Sequence, residues 1–171
     1  MAILRPPSVS DAAALADLGA RAFTAKFGHL YDPADLSAFL EQVHSAPAVA
    51  GELADETLVW NAAWEGDRPV AFCKLGLRNA YAEHARTERP VDLMQMYVDP
   101  ARLGEGLGAF LMDWALGEAR ARGATEVLLS VYCDNPEAQR FYARYGFEKI
   151  AEIDFYVGNH RDDEYLFGLL L

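Results

Sequence analysis

Two stretches of the chain hold residues whose types and spacing could do chemistry. The first is Met96-Tyr97-Val98-Asp99-Pro100-Ala101-Arg102-Leu103-Gly104-Glu105-Gly106-Leu107-Gly108-Ala109. An apolar strand runs into a glycine-rich turn, and the turn opens a helix. The free N–H groups of a helix start, at the positive end of its dipole, hold an anion without any side-chain cation. Glycines let the backbone approach the anion closely and take positive φ. A phosphate-bearing ligand is therefore expected. A Walker loop would end in Gly-Lys-Ser/Thr, which Gly108-Ala109-Phe110 does not. Gly104, Gly106 and Ala109 satisfy the dinucleotide fingerprint formally, but that fingerprint wants an acidic residue about 20 positions on, within a larger βαβ domain. Leu129 stands there instead.

The second stretch begins at Asn135, which opens the next helix, and Ala138, Phe141, Tyr142, Gly146 and Phe147 follow at fixed spacing. Tyr142 on its own could equally be one more core aromatic. Other chemistries find no support. His29, His44, His84, His160, Cys73 and Cys133 show no metal-ligand spacing, so no metal is expected. No G-x-S-x-G elbow is present, which leaves a hydrolase without its nucleophile. Cys133 as an acyl carrier is weaker than Cys133 as a small buried thiol.

The elements that must position these residues follow from periodicity and punctuation. Ile3 to Arg5 reads as a short strand stopped by Pro6-Pro7. Ser8 or Ser10 caps a helix reaching Phe27, with Leu15, Leu18, Ala22 and Phe23 on one face. Asp32-Pro33 starts a second helix, and a short helical turn follows Pro47. Thr57 to Trp64 and Pro69 to Leu77 form a hairpin. Asn79 to Pro90 is polar and loop-like, and Leu93 to Val98 is a strand. A helix begins near Gly106, Glu126 to Tyr132 is an apolar strand, and Phe147 to Val157 and Tyr165 to Leu171 are the last strands. This order predicts an α/β (α+β) fold, a single domain over 1–171. Its mixed sheet of six to seven strands is flanked by helices. Leu93–Val98 and Glu126–Tyr132 should be parallel neighbours.

From Leu93 to Phe147 the chain resembles the GCN5-related N-acetyltransferase (GNAT) superfamily. The likeness rests on the run Met96-Tyr97-Val98-Asp99-Pro100, the glycine loop, and the Asn135–Ala138–Phe141–Tyr142–Gly146–Phe147 signature. It implies acetyl-CoA as cofactor and two central strands splayed to admit it. Met96, Tyr97 and Val98 would pair with the pantetheine arm, and Gly104, Glu105, Gly106, Leu107, Gly108 and Ala109 would hold the pyrophosphate. Asn135 and Ala138 would touch the pantetheine, and Tyr142 would stand by the sulfur as acid for the leaving thiolate. A backbone N–H near Met96 or Tyr97 would face the developing oxyanion. Asp92 would be the base, acting through water, with Glu83, His84 and Asp134 as further candidates. Two positions depart from the pattern: Leu103 replaces the usual Gln/Arg, and Glu105 lies where a basic residue is frequent.

The chain carries 15 basic and 26 acidic side chains in 171 residues, a formal charge of −11. That argues against a nucleic-acid partner, which needs a basic footprint, and is compatible with a cationic one. Both ends of the chain are similar, more loosely, to PaiA-type polyamine N-acetyltransferases. A small-molecule amine, with a polyamine foremost, is thus the expected partner. Phe27, Tyr31, Glu41 and Tyr81 are candidates for its pocket, since ammonium groups favour carboxylates and aromatic faces. A peptide or protein acceptor and a non-catalytic acyl-CoA-binding module stay open, as does a homodimer. No uncharged apolar run of about 18 residues exists to cross a membrane. The first residues lack a charged then apolar leader pattern, and two cysteines make no disulfide framework, so a cytoplasmic location is expected.

Overall fold

A computed structural model describes residues 1–171. Seven strands form one mixed sheet in the order β1-β2-β3-β4-β5-β7-β6. They are β1 (Ile3–Arg5), β2 (Leu58–Glu65), β3 (Arg68–Gly76), β4 (Pro90–Val98), β5 (Glu126–Tyr132), β6 (Glu148–Val157) and β7 (His160–Leu170). Every neighbouring pair is antiparallel except β4 and β5. α1 (Ala12–Phe27), α2 (Pro33–Val43) and α3 (Ala46–Leu53) come before β2, α4 (Leu107–Ala121) joins β4 to β5, and α5 (Pro136–Arg144) joins β5 to β6. No helix is long and apolar enough to cross a membrane.

Strand alternation divides the core. On one face Cys73, Leu75, Val127 and Leu129 pack against Leu111, Met112 and Ala115 of α4. On the other, Trp60, Ala62 and Phe72 pack against Leu15 and Leu18 of α1 and Val49 of α3. A third cluster, Phe23, Phe39 and Val157, ties α1 and α2 to the far end of β6.

Three boundaries differ from the sequence reading. α3 is a full helix that starts before Pro47, because the Ser45 hydroxyl accepts the Ala48 N–H at 3.3 Å and proline in a first turn loses no bond. β4 starts at Pro90, so Asp92 lies inside it. β7 starts at His160 rather than Tyr165. The polar run Arg161-Asp162-Asp163-Glu164 looks like a loop, yet all four residues pair with β6, and Glu164 also pairs with Tyr132 of β5. Asp162 and Glu164 therefore turn inward while Arg161 and Asp163 face out.

The parallel pairing of β4 and β5 lasts only from Pro90–Glu126 to Asp92–Leu128. At that point β4 carries an extra residue against β3: Leu75 pairs with Leu93, but Lys74 pairs with Gln95, leaving Met94 as a bulge. A bulge bends its strand and raises the local twist. Beyond it the two strands diverge, as the family resemblance implies.

One charge lies within the apolar layer beneath this sheet. Lys74 is 1% exposed, and its ammonium reaches Glu52 Oε2 of α3 at 2.7 Å. Removing the partner strands a buried cation, which costs more than the pair contributes. Glu52→Ala is expected to lower unfolding stability by about 2–3 kcal/mol, whereas Lys74→Met should be near neutral. Chemical denaturation of the two variants checks this.

Candidate active site

The splay opens a cleft of about 800 Å³ between β4 and β5. Leu93 to Val98 line one wall and Leu129 to Tyr132 the other. Because pairing stops at Asp92 and Leu128, the facing backbone edges of both walls are left without a neighbouring strand. A ligand rich in amide groups can take those hydrogen bonds as an added strand would.

The glycine loop forms one end. Gly104 and Gly106 both sit at φ 82°, the left-handed region, and an added Cβ at either would meet nothing within 4 Å. The conformation, rather than crowding, demands glycine there. Gly106 caps α4, and no side chain caps the helix in its place. The N–H groups of Leu107, Gly108 and Ala109 thus begin a 15-residue helix without intrahelical partners. All three residues line the cleft. This donor set fits a diphosphate.

One expectation about this loop is corrected. Glu105 does not line the cleft, since Arg102 holds its carboxylate at 2.7 Å. Arg102, Arg140 and Arg144 also line the cleft, two of them from α5. Arg102 is partly engaged, its guanidinium forked onto Glu65 at 2.6 and 2.8 Å. The helical spacing of Arg140 and Arg144 was the signal in the sequence, for it places them one turn apart on one face.

The middle of the cleft holds the second signature. Asn135 lines the cleft and caps α5, its Oδ1 accepting the Ala138 N–H at 3.3 Å, which leaves the amide NH₂ without a partner in the chain. Phe141 and Tyr142 line the cleft, and the Tyr142 ring stacks edge-on against Phe141 and Phe147. Burial pushes the Tyr142 phenol up to about 12, and the nearby Glu164 charge adds to the shift. The hydroxyl thus keeps its proton at neutral pH, as a general acid must. Burial likewise raises the Tyr97 phenol, again with Glu164 contributing.

The far end combines aromatic and acidic groups. Phe23, Phe27, Tyr31 and Phe155 contribute to its wall, together with Glu164. The Tyr31 hydroxyl donates to Asp162 Oδ2 at 2.5 Å, while His160 Nε2 stands 3.1 Å from Oδ1 of the same carboxylate.

Of the residues expected in the site, Met96, Tyr97, Val98, Gly104, Gly106, Leu107, Gly108, Ala109, Asn135, Ala138, Tyr142, Phe27 and Tyr31 meet in this one cleft. Glu41 does not: it is exposed on α2, beside a separate surface depression. Tyr81 lies outside the lining, half-buried behind Ser130. Asp92 lies below the cleft, where β4 and β5 are still paired, and is 3% exposed. Its Oδ2 accepts the Ala80 N–H at 2.7 Å, and its Oδ1 has no partner. Glu83, His84 and Asp134 are also outside the lining. Two carboxylates do line the cleft: Glu137, exposed and paired with Lys26, and the buried Glu164, which was hidden by the apparent loop around it.

Burial pushes the Asp92 carboxyl up to about 6, with the Ala80 bond opposing. A group raised in the folded state lends stability below its unfolded value and loses it as pH rises through the folded one. Asp92→Asn should therefore gain stability over wild type as pH climbs from about 4 to 7, and gain nothing below that window. Thermal melts across pH test this.

A model of the acetyltransferase (GNAT) family matches residues 14–147. The chain belongs to that family. Family enzymes use acetyl-CoA, and the amide-ready strand edges and the diphosphate-ready helix start fit that molecule. An uncharacterized N-acetyltransferase of Mycobacterium tuberculosis is 30% identical over 158 residues, covering 92% of this chain and 96% of the relative. Another, from Lactobacillus delbrueckii subsp. lactis, is 24% identical over 144 residues, covering 84% and 83%. Among solved structures, the PaiA N-acetyltransferase of Thermoplasma acidophilum in complex with coenzyme A superposes with a TM-score of 0.80. That match covers 100% of this chain and 99% of that one at 15% identity. The ribosomal-protein-S18-alanine N-acetyltransferase of Escherichia coli gives 0.72 at 19% identity, covering 99% and 94%. As a family member, the chain is an acetyltransferase built on this fold.

Proposed function

We propose that this acetyltransferase moves the acetyl group of acetyl-CoA directly to a small primary amine, with a polyamine as the preferred acceptor. The observation that carries this is the far end of the cleft, where the buried Glu164 carboxylate stands among aromatic rings. Glu164 faces the cleft and makes no ion pair with any basic side chain. An ammonium group entering there gains a carboxylate partner and the faces of Phe27 and Tyr31. The net charge of −11 adds long-range attraction for a polycation.

The residues then divide the work. The N–H groups of Leu107, Gly108 and Ala109 hold the diphosphate, and the open edges of β4 and β5 hold the arm. A backbone N–H near Met96 or Tyr97 donates to the carbonyl oxygen as it gains charge. Tyr142 gives its proton to the departing sulfur.

A peptide acceptor would need the groove open between the first helices and the last hairpin. Two contacts bridge that gap: Tyr31 to Asp162, and Asp35 Oδ1 accepting the Asn159 N–H at 2.8 Å. This favours a small acceptor. Incubation with acetyl-CoA and spermidine, read by mass spectrometry, should yield acetylspermidine and leave peptides of mixed sequence unmodified. Modification of peptides alone would overturn the reading.

A further inference from the structure

Direct transfer to an ammonium group requires a base, and Asp92, Glu83, His84 and Asp134 all lie outside the cleft. Two carboxylates line the cleft, Glu137 and Glu164. Glu137 is exposed and held by Lys26 at 3.3 Å, which leaves Glu164 as the buried, unpaired one. It is 8% exposed, sits on β7 opposite Tyr132 of β5, and faces the same side of the sheet as Ser130. Its titratable neighbours come from every surrounding element. They are Tyr97 of β4, Tyr142 of α5, Tyr31 after α1, Tyr81 from the β3–β4 connection, and Asp162 on its own strand. No lysine, arginine or histidine is paired with it, so its charge has no fixed partner. The Ser130 hydroxyl stands beside both the Glu164 carboxylate and the Tyr81 hydroxyl. Tyr81 is itself fixed from its backbone, its N–H donating to Asn79 Oδ1 at 2.6 Å.

Resting on the amine-acetylation reading above, we propose that Glu164 is the general base that takes a proton from the acceptor ammonium. Ser130, backed by Tyr81, is the positioning residue that orients its carboxylate.

One N–H bond of R–NH₃⁺ breaks and its proton goes to Glu164, leaving the nitrogen lone pair free. That pair forms the N–C bond, and the C–S electrons leave with sulfur, which takes the Tyr142 proton. The second proton shed by nitrogen restores the Tyr142 phenol, and Glu164 later releases its own to solvent. The sum is an amide, a thiol and one proton.

Burial pushes the Glu164 carboxyl up to about 7, with the Ser130 hydroxyl opposing and the Asp162 charge adding. A base tuned close to working pH balances availability against proton affinity. Activity should then rise as pH climbs through about 7, because the base must be ionised.

The test is a pH profile of kcat and kcat/KM for wild type, Glu164→Gln and Ser130→Ala, using spermidine and acetyl-CoA. Glu164→Gln should lose about 10²–10³-fold in kcat at pH 7 and lose the limb near that pH, while still binding acetyl-CoA. Its residual rate should climb with pH as the amine deprotonates unaided. Ser130→Ala removes a donor that favours the charged form, so its limb should move to higher pH, and Ser130→Thr should restore it. Should the Gln variant fail to fold, the shift in Ser130→Ala carries the test. An unchanged limb in both variants overturns the proposal, and so does a loss confined to KM, which would make Glu164 an anchor only. Wild-type turnover alongside either result would leave the amine reading standing. A wild type inert on all amines would end both.

Discussion

Tyr142→Phe should lower turnover about 10²-fold while leaving acetyl-CoA affinity near that of wild type. The ring keeps its contacts with Phe141 and Phe147, so the cleft keeps its shape. What disappears is one proton, held by a phenol that burial has raised to about 12. The loss should fall at the lower end for acid catalysis, because a thiolate leaves more readily than an alkoxide or amide would. It should appear in kcat rather than KM, since the proton moves only as the C–S bond breaks. Isothermal titration with acetyl-CoA beside steady-state kinetics separates the two. Equal rates for both proteins would remove Tyr142 from the chemistry and make it a wall of the cleft.

Gly106→Val should show the opposite division, weakening acetyl-CoA binding at least about tenfold. Valine at φ 82° carries a strain of about 1–3 kcal/mol, and each 1.4 kcal/mol is a factor of ten in affinity. The helix can relieve that strain only by turning its first residues. Leu107, Leu111 and Met112 resist this because they are anchored in the core. The Leu107, Gly108 and Ala109 N–H groups would therefore lose their common aim. Gly106→Ala should do the same more weakly. Binding measured by titration, with a thermal melt to show that α4 persists, decides the matter.

The sequence was most legible where local chemistry and function coincide. Gly104 and Gly106 mark a backbone that only glycine adopts cheaply, and Asn135-Pro136 is a helix start whose cap also faces the ligand. These positions advertise themselves because one residue type satisfies a turn and a site together. The order of strands and helices was equally readable, since the apolar runs at 57–64, 69–77 and 126–132 are short, bounded by turn residues and read as strands.

The acceptor end was not legible, for a physical reason. Whether Asp162 and Glu164 are inside or outside depends on β7 being inserted between β5 and β6, a pairing that no local pattern specifies. The same run of charges would be solvated in an edge strand. Asp92 misled in the reverse sense. By sequence it begins the central strand, but β4 starts at Pro90 and the divergence begins just beyond Asp92, at the Met94 bulge. Glu41 misled because α2 turns its polar face to water. Each of these cases rests on long-range pairing or packing, which residue spacing alone does not encode.

The most direct test of the central claim is thiol release from acetyl-CoA across a panel of spermidine, spermine, putrescine, amino acids, aminoglycosides and short peptides. The polyamines should give the highest kcat/KM, with peptides at background. Turnover on peptides alone, or tight acetyl-CoA binding with no turnover on any amine, would contradict it.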